Sequence, residues 1–339
     1  MPQIFPFYEF WPFYLCFSLG VAAVLFLSLK IFHVESEEVS IRSATNTALA
    51  WFGLALLFNV LLYFYTREHL AANPTLAMAL GSTPEELARR TALEFLSGYL
   101  VEKSLAIDNL FVFIVIFKFF SIEKRYQHRV LFYGLFGALV FRAIFIAMGA
   151  AVMDISWVVI VFGIFLIYQG ISILRGKEAL IDPEHNRVLH LLNKYLPVSK
   201  KMVGQRFFVR ESGKLFVTPL FVTLVFIEIT DIMFAFDSVP AIFGLTAEPM
   251  VVFTSNIFSV IDLRALYFLL AAFITRFHYL QVGLSFVLIF IGTKMVILDH
   301  YLDGRVPTEI SLLVVLGIIV GSIVFSLIKP PVKQGGNAA

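Results

Sequence analysis

Apolar residues in this chain come in runs of about twenty, and polar residues collect in the gaps between them. A helix of that length crosses the roughly 30 Å hydrocarbon core of a bilayer. Nine runs fit: 10–29, 47–65, 91–117, 130–152, 155–174, 215–243, 263–275, 280–298 and 310–328. The seventh is short and is expected to extend back into 257–260. The pattern predicts an all-α polytopic membrane protein with about nine transmembrane helices. It divides into two N-terminal helices (1–66), a three-helix unit (91–175), a basic loop (176–214), a second three-helix unit (215–299), a ninth span (308–328) and a disordered tail (329–339). Two runs carry acids. The third holds Glu-Lys-Ser-Leu-Ala-Ile-Asp-Asn (102–109), and the sixth holds Glu-Ile-Thr-Asp-Ile-Met-Phe-Ala-Phe-Asp-Ser-Val-Pro (228–240). A carboxylate in hydrocarbon must find a partner or a function.

Composition agrees with a membrane protein. Charged residues are 15% and mean hydropathy is +0.87, far from a soluble domain. The net charge of +2 gives no reason to expect nucleic acid as a partner; the lipid bilayer is the expected one. One cysteine, Cys16, excludes a disulfide framework and a cysteine metal cluster. The first run lacks the basic start of a signal peptide and reads as a permanent helix. With the N-terminus outside, the inner loops and tail hold eighteen Lys and Arg and the outer ones four. That asymmetry predicts N-out, C-in. The loop from Arg175 to Lys214 reads as a solvated cytoplasmic segment with room for a short helix at 187–195. No oligomeric state follows from the sequence.

The two acidic runs repeat each other. Glu102 and Asp108 map onto Asp231 and Asp237 with an offset of 129. Arg142 and Gly170 map onto Arg264 and Gly292 with an offset of 122, and one loop that differs by seven residues reconciles the two values. Spans three to five therefore repeat as spans six to eight. Three is odd, so the copies are expected as inverted repeats, an arrangement that places binding sites at the repeat interface in transporters.

Helical geometry puts Glu102 and Asn109 on one face, and Asp231 and Ser238 on another. Asp108 and Asp237 lie about 120° away, so convergence of both acids of one repeat calls for unwinding. Pro240, which offers no N–H to Phe236, supplies a cause for a break in span six. Glu228 and Asp231, three apart, share a face. Brought together, Glu102, Asp108, Asn109, Glu228, Asp231 and Asp237 offer only oxygen. Hard oxygen donors suit Mn²⁺, Mg²⁺ or Ca²⁺ and disfavour Zn²⁺ and Cu⁺. Clustered carboxylates repel, so binding an ion is expected to release protons.

Other polar residues have plainer readings. Lys103, Arg142, Arg264 and Lys294 are candidates for charge pairing with the acids. Ser104 and Thr230 are expected to bond their own helix backbone. Glu94 lies near a span end, where a solvated interfacial acid is one reading, and Asp154, Asp262, Asp299 and Asp303 read as solvated acids at span ends. The 38 phenylalanines read as lipid-facing packing.

The segments 102–113 and 228–243 resemble the signature of the TerC family of integral membrane proteins. The segments 254–270 (Thr-Ser-Asn-Ile-Phe-Ser-Val-Ile-Asp-Leu-Arg-Ala-Leu-Tyr-Phe-Leu-Leu) and 290–295 (Phe-Ile-Gly-Thr-Lys-Met) are similar to its following blocks. The resemblance covers about residues 93–298, with flanking spans arranged as in its Alx-like bacterial branch. It implies manganese export across a bacterial inner membrane, with Mn²⁺ as transported substrate and no permanent cofactor. It also links some members to tellurite resistance and alkaline pH. By motif position it carries the metal-binding role to Glu102, Asp108, Glu228, Asp231 and Asp237, with Asn109 and Ser238 beside them.

Two other classes compete with a transporter. An intramembrane aspartyl protease needs two membrane aspartates, but its usual Gly-x-Gly-Asp sequence is absent. A membrane scaffold acting on partner proteins needs no such acids. A haem or quinone protein fits poorly, because no span holds two histidines. No enzyme activity is expected.

Overall fold

A computed structural model describes residues 3–31, 41–152, 156–175, 197–199, 204–211, 214–273, 279–298 and 307–328. The described chain is almost wholly helical. Helices α1 (Phe7–Ile31), α2 (Ile41–Ala72) and the short α3 (Pro74–Ala79) precede α4 (Pro84–Phe119), α5 (Lys124–Val152) and α6 (Ser156–Leu174). An antiparallel hairpin follows, β1 (Phe208–Glu211) with β2 (Lys214–Val217), in the register Phe208 to Val217 and Glu211 to Lys214. Then come α7 (Pro219–Phe243), α8 (Pro249–Val260), α9 (Leu263–Phe273), α10 (Leu280–Thr293), which runs on into a π-helical turn (Lys294–Leu298), and α11 (Thr308–Ile328).

Local sequence sets these boundaries. At the start of α4, the Thr83 hydroxyl accepts from the Glu86 N–H at 3.3 Å, Pro84 occupies the first turn, and Glu85 and Glu86 add negative charge there. Helices α7 and α8 likewise begin with proline, at Pro219 and Pro249. Ser121, at φ 50°, turns the chain from α4 into α5. The Ile122 N–H then bonds the Phe117 carbonyl at 2.9 Å, closing the end of α4.

Helix α4 lies at the centre, packed on α2, α7, α8, α9, α10 and α11. Helix α8 is buried along its entire length, although it contains Thr254, Ser255, Asn256 and Ser259. Helices α6 and α10 approach each other closely at their glycines. A Cβ at Gly170 would meet the Ser285 carbonyl at 2.6 Å, and one at Gly163 would meet the Gly292 carbonyl at 3.0 Å. Only glycine lets two helix backbones come this near.

Among the described residues, six helices are long and apolar enough to cross a membrane, or seven if α8 and α9 count as one span bent by 43°. The nine-span reading exceeds this for two reasons. Glu94, Glu102, Lys103 and Asp108 interrupt the apolar character of α4, and the stretch of α10 and its π turn is short. The seventh run extends backwards as expected, but it does so as a separate helix. The break foreseen at Pro240 is absent. Helix α7 is continuous to Phe243, because Pro240 falls in its last turn, where one missing N–H interrupts little. Helix α4 is likewise continuous between Glu102 and Asp108. The hairpin and α3 were not foreseen. The helix expected at 187–195, the tail and Asp154, Asp299 and Asp303 lie outside the described residues.

The first residues also dock. Ile4 and Phe5 are buried, and their amides donate to the Glu248 carboxylate at 2.9 and 3.3 Å. The Phe5 ring packs edge-on against Phe10 and lies 6.1 Å from Tyr65 and 6.0 Å from His69. Glu248 is the N-cap residue of α8. Its N–H donates to Thr246 Oγ1 at 3.2 Å, and the Thr246 hydroxyl donates to Glu94.

Candidate functional site

Arg142 of α5 is the largest side chain that is fully buried. Four helices meet on its guanidinium. Nε and Nη2 donate to the two oxygens of Asp231 on α7, at 3.3 and 3.2 Å. Nη1 donates to Glu102 on α4 and lies 3.5 Å from Asn256 Oδ1 on α8. The planar fork of arginine matches a carboxylate in this two-pronged way, which a lysine ammonium does not. Glu102 and Asp231 are the equivalent acids of the two repeats read from the sequence, and one arginine joins them.

Glu228 stands one turn before Asp231 on α7. Its carboxylate lies on Gly137 of α5, and a Cβ there would fall inside the carboxylate. The missing side chain of Gly137 therefore makes the space that Glu228 fills. Glu228 has no guanidinium of its own among the described residues, and its Oε2 is buried without a hydrogen-bond partner. The same holds for Glu102 Oε2, Asn109 Nδ2, Ser238 Oγ and Asn256 Nδ2. Arg142 is thus shared by Glu102 and Asp231, and Glu228 beside them has no cationic partner among the described residues.

The sequence-derived residues are not all brought together. Glu102, Asp231 and Arg142 are in contact, and Glu228 adjoins them. Asn109 and Ser238 are buried two turns further along α4 and α7. Asp108 and Asp237 belong to those helices, but their side chains lie outside the described residues. Among the described residues, no three His, Cys, Asp or Glu gather closely enough to hold a metal ion. The donors present near Arg142 are oxygens and amides, a set that fits a hard divalent cation.

The remaining cations have separate places. Lys103 donates to Asp262 and, at 3.3 Å, to the Ser259 carbonyl. Lys294 donates to the Gly244 carbonyl at 2.9 Å. Arg264 Nη1 lies 3.5 Å from His128 Nε2. Ser104 and Thr230 bond the carbonyls of Leu100 and Phe226, both at 2.8 Å, as expected. Two acids correct the sequence reading. Asp262 is buried and ion-paired, because the bend between α8 and α9 lies in the interior. Glu94 is also buried, held by Arg90 at 2.8 Å and by Thr246. Asn256, Gly137 and Glu248 were missed. The polar triplet Thr254–Ser255–Asn256 inside an apolar run was the available sign for Asn256; nothing in the chain alone pairs Gly137 with Glu228.

Comparison with known proteins bears on the whole chain. STKORF319, a membrane protein of Myxococcus xanthus, is 40% identical over 314 residues, which is 92% of this chain and 91% of the relative. The Alx protein of Salmonella typhi, named for a proposed role as a membrane-bound redox modulator, is 37% identical over 313 residues. That match spans 91% of this chain and 92% of the relative. A membrane protein of Rickettsia felis is 35% identical over 318 residues, 93% of this chain and 97% of the relative. No solved structure matches. The model of the integral membrane protein TerC family matches residues 87–334, the segment that holds every helix around Arg142, and the chain is a multi-pass membrane protein of that family.

Proposed function

We propose that this protein transports a divalent cation, with export of Mn²⁺ from the bacterial cytoplasm as its concrete form. The observation that carries the reading is an excess of carboxylate beside Arg142: buried Glu102 and Asp231 share its guanidinium, and Glu228, one turn from Asp231, adds a buried Oε2 with no hydrogen-bond partner among the described residues. Oxygen donors in that number suit Mn²⁺ over Zn²⁺ or Cu⁺. Arg142 keeps Glu102 and Asp231 in position, and Glu102 Oε2 and Glu228 Oε2 are buried carboxylate oxygens of this region with no hydrogen-bond partner among the described residues. Asp108, Asp237, Asn109 and Ser238 complete the proposed ligand set. Protons exchanged at these acids accompany the metal in this reading.

An inverted repeat supports alternating access. Under the offset of 122, Gly163 corresponds to Ser285 and Gly170 to Gly292. The contact of Gly163 with Gly292 thereby becomes that of Ser285 with Gly170, and both occur between α6 and α10. In the same exchange the packing of α4 on α8 becomes that of α7 on α5, and both occur. The charge asymmetry of the loops supports N-out, C-in in the inner membrane. The name of the Alx relatives suggests redox chemistry, but one cysteine gives this chain no thiol pair of its own.

The test is Mn²⁺ uptake into inside-out vesicles by wild type, Asp237→Asn and Glu228→Gln at matched protein levels. Both variants are expected to lose at least tenfold in rate. Equal rates for all three, above vesicles without the protein, would remove the acids from the transport path.

A further inference from the structure

The bend between α8 and α9 holds a partly buried cation, Lys103, paired with a buried acid. Helix α8 ends at Val260, α9 begins at Leu263, and the axis turns by 43° between them. A broken helix in a membrane presents free carbonyls at the end of one half and free N–H groups at the start of the next. The C-terminal end of a helix carries partial negative charge. Transporters built on such breaks place a coupling cation there.

In this protein the junction is filled by Lys103 of α4. Its ammonium donates to the Ser259 carbonyl near the end of α8 and to the Asp262 carboxylate between the two halves. It also stands 5.2 Å from the ring centre of Tyr99, a distance that suits a cation over a π face. Asp262, Ser259 and Tyr99 are buried to 2% exposure or less. Acceptors remain beyond those that Lys103 uses. Asp262 Oδ2, Ser259 Oγ and the Tyr99 hydroxyl are buried with no hydrogen-bond partner among the described residues. The surroundings have the make-up of a cation site: a carboxylate, a helix-end carbonyl, two hydroxyls and an aromatic face.

We propose that Lys103 is a tethered cation occupying a monovalent-cation site at the α8–α9 junction, and that the site accepts a free small cation once the tether is cut. The pair works as a positioning device. It fixes the bend that holds α8, and with it Asn256, against Arg142. The inference does not require that the protein carry manganese.

The experiment uses purified full-length protein in detergent and reads thermal unfolding, so it does not depend on a transport assay. Lys103→Ala removes the three carbons and the ammonium that propylammonium would replace. The variant is expected to unfold several degrees below wild type, and millimolar propylammonium is expected to restore at least half of the loss. Tetramethylammonium at equal ionic strength, which lacks N–H donors, is expected to restore none. Sodium chloride is the second arm: restoration by sodium assigns a general monovalent site, and restoration by propylammonium alone an ammonium-selective one. Lys103→Ala with Asp262→Asn is expected to respond to neither salt, because the carboxylate that holds the ion is gone. Where Lys103→Ala fails to accumulate, Lys103→Ser, whose short side chain also leaves the junction open, is read in the same way. Wild-type stability of the single variant overturns the proposal, as does a single variant that neither propylammonium nor sodium restores. An equal response of single and double variants overturns it too.

Discussion

The carboxylates of Glu102 and Asp231 at Arg142 and the carboxylate of Glu248 are all buried, yet they are held in opposite ways. Glu102 and Asp231 share a guanidinium at the meeting of α4, α5, α7 and α8. Glu248, at the head of α8, is held by two neutral amides, those of Ile4 and Phe5. Both arrangements tie α4 to α8, the first through Glu102 and Asn256 and the second at the N-terminal end of α8, through Thr246 and Glu94. The difference lies in how charge is compensated. A cation fixes the ionised form of its acids and makes their removal costly. Amides stabilise the charge of Glu248 without cancelling it, so burial raises its pKa to about 7.

The largest effect is expected where the cation is removed. Arg142→Met leaves two carboxylates buried without compensation, a loss of about 3–5 kcal/mol. The protein is expected to accumulate poorly, or to unfold well below wild type in a thermal melt. Arg142→Lys keeps the charge and loses the two-pronged bond to Asp231, and should fall between the two. Wild-type melting of both variants would show that the guanidinium does not hold the centre together, and the contrast with Glu248 would disappear.

A smaller effect tests the acid beside Arg142 that has no guanidinium of its own. Gly137→Ala puts a methyl group where the Glu228 carboxylate lies. Overpacking of this kind costs about 1–3 kcal/mol. The variant is expected to melt lower and to lose Mn²⁺ transport. Adding Glu228→Asp, which shortens the side chain by one methylene, is expected to recover much of the stability. A melt unchanged by Gly137→Ala would mean that Glu228 moves away at no cost, and that the glycine does not define its place.

The sequence made the long elements and the central charges readable for physical reasons that failed elsewhere. Apolar runs marked α1, α2, α5, α6, α7 and α11, because a long hydrophobic helix needs no tertiary information to be recognised. The internal repeat paired Glu102 with Asp231 before any coordinates, and Arg142 was among the candidate partners. Which acids it takes was not readable, because that depends on how α4, α5 and α7 cross. Asp262 looked like a solvated loop acid because sequence position alone does not distinguish a bend inside the protein from a turn at its surface. The seat of Glu228 on Gly137 is a contact between residues 91 positions apart, and it leaves no local trace. Ile4 and Phe5 looked like a loose terminus, and only the carboxylate of a residue more than 240 positions away explains their burial.

The smallest effect is expected at that terminus, and its pH dependence has a definite sign. The carboxyl pKa of Glu248 rises from 4.5 to about 7 with the N-terminal segment docked. Burial is the main cause; the Ile4 and Phe5 amides oppose it, Glu94 adds to it, and Arg90 lowers it. Tyr14 of α1 also faces this carboxylate, and His69 of α2 lies against Phe5. A docked state with the higher pKa binds the proton more tightly than an undocked state in which Glu248 is solvated. The proton-linked part of docking is therefore complete below pH 4.5, weakens across the interval to about 7, and is lost above it. Hydrogen exchange of residues 3–10, corrected for the intrinsic rise of the chemical rate with pH, is expected to show more frequent opening at pH 8.5 than at pH 5.5. Glu248→Gln cannot titrate, and opening in that variant is expected to be flat across the same range. Equal opening of the terminus at the two pH values in the wild type would show that the amides, and not the proton, set its stability. Glu248 would then be held by its amides alone, and its contrast with the acids of Arg142 would reduce to the kind of partner each has.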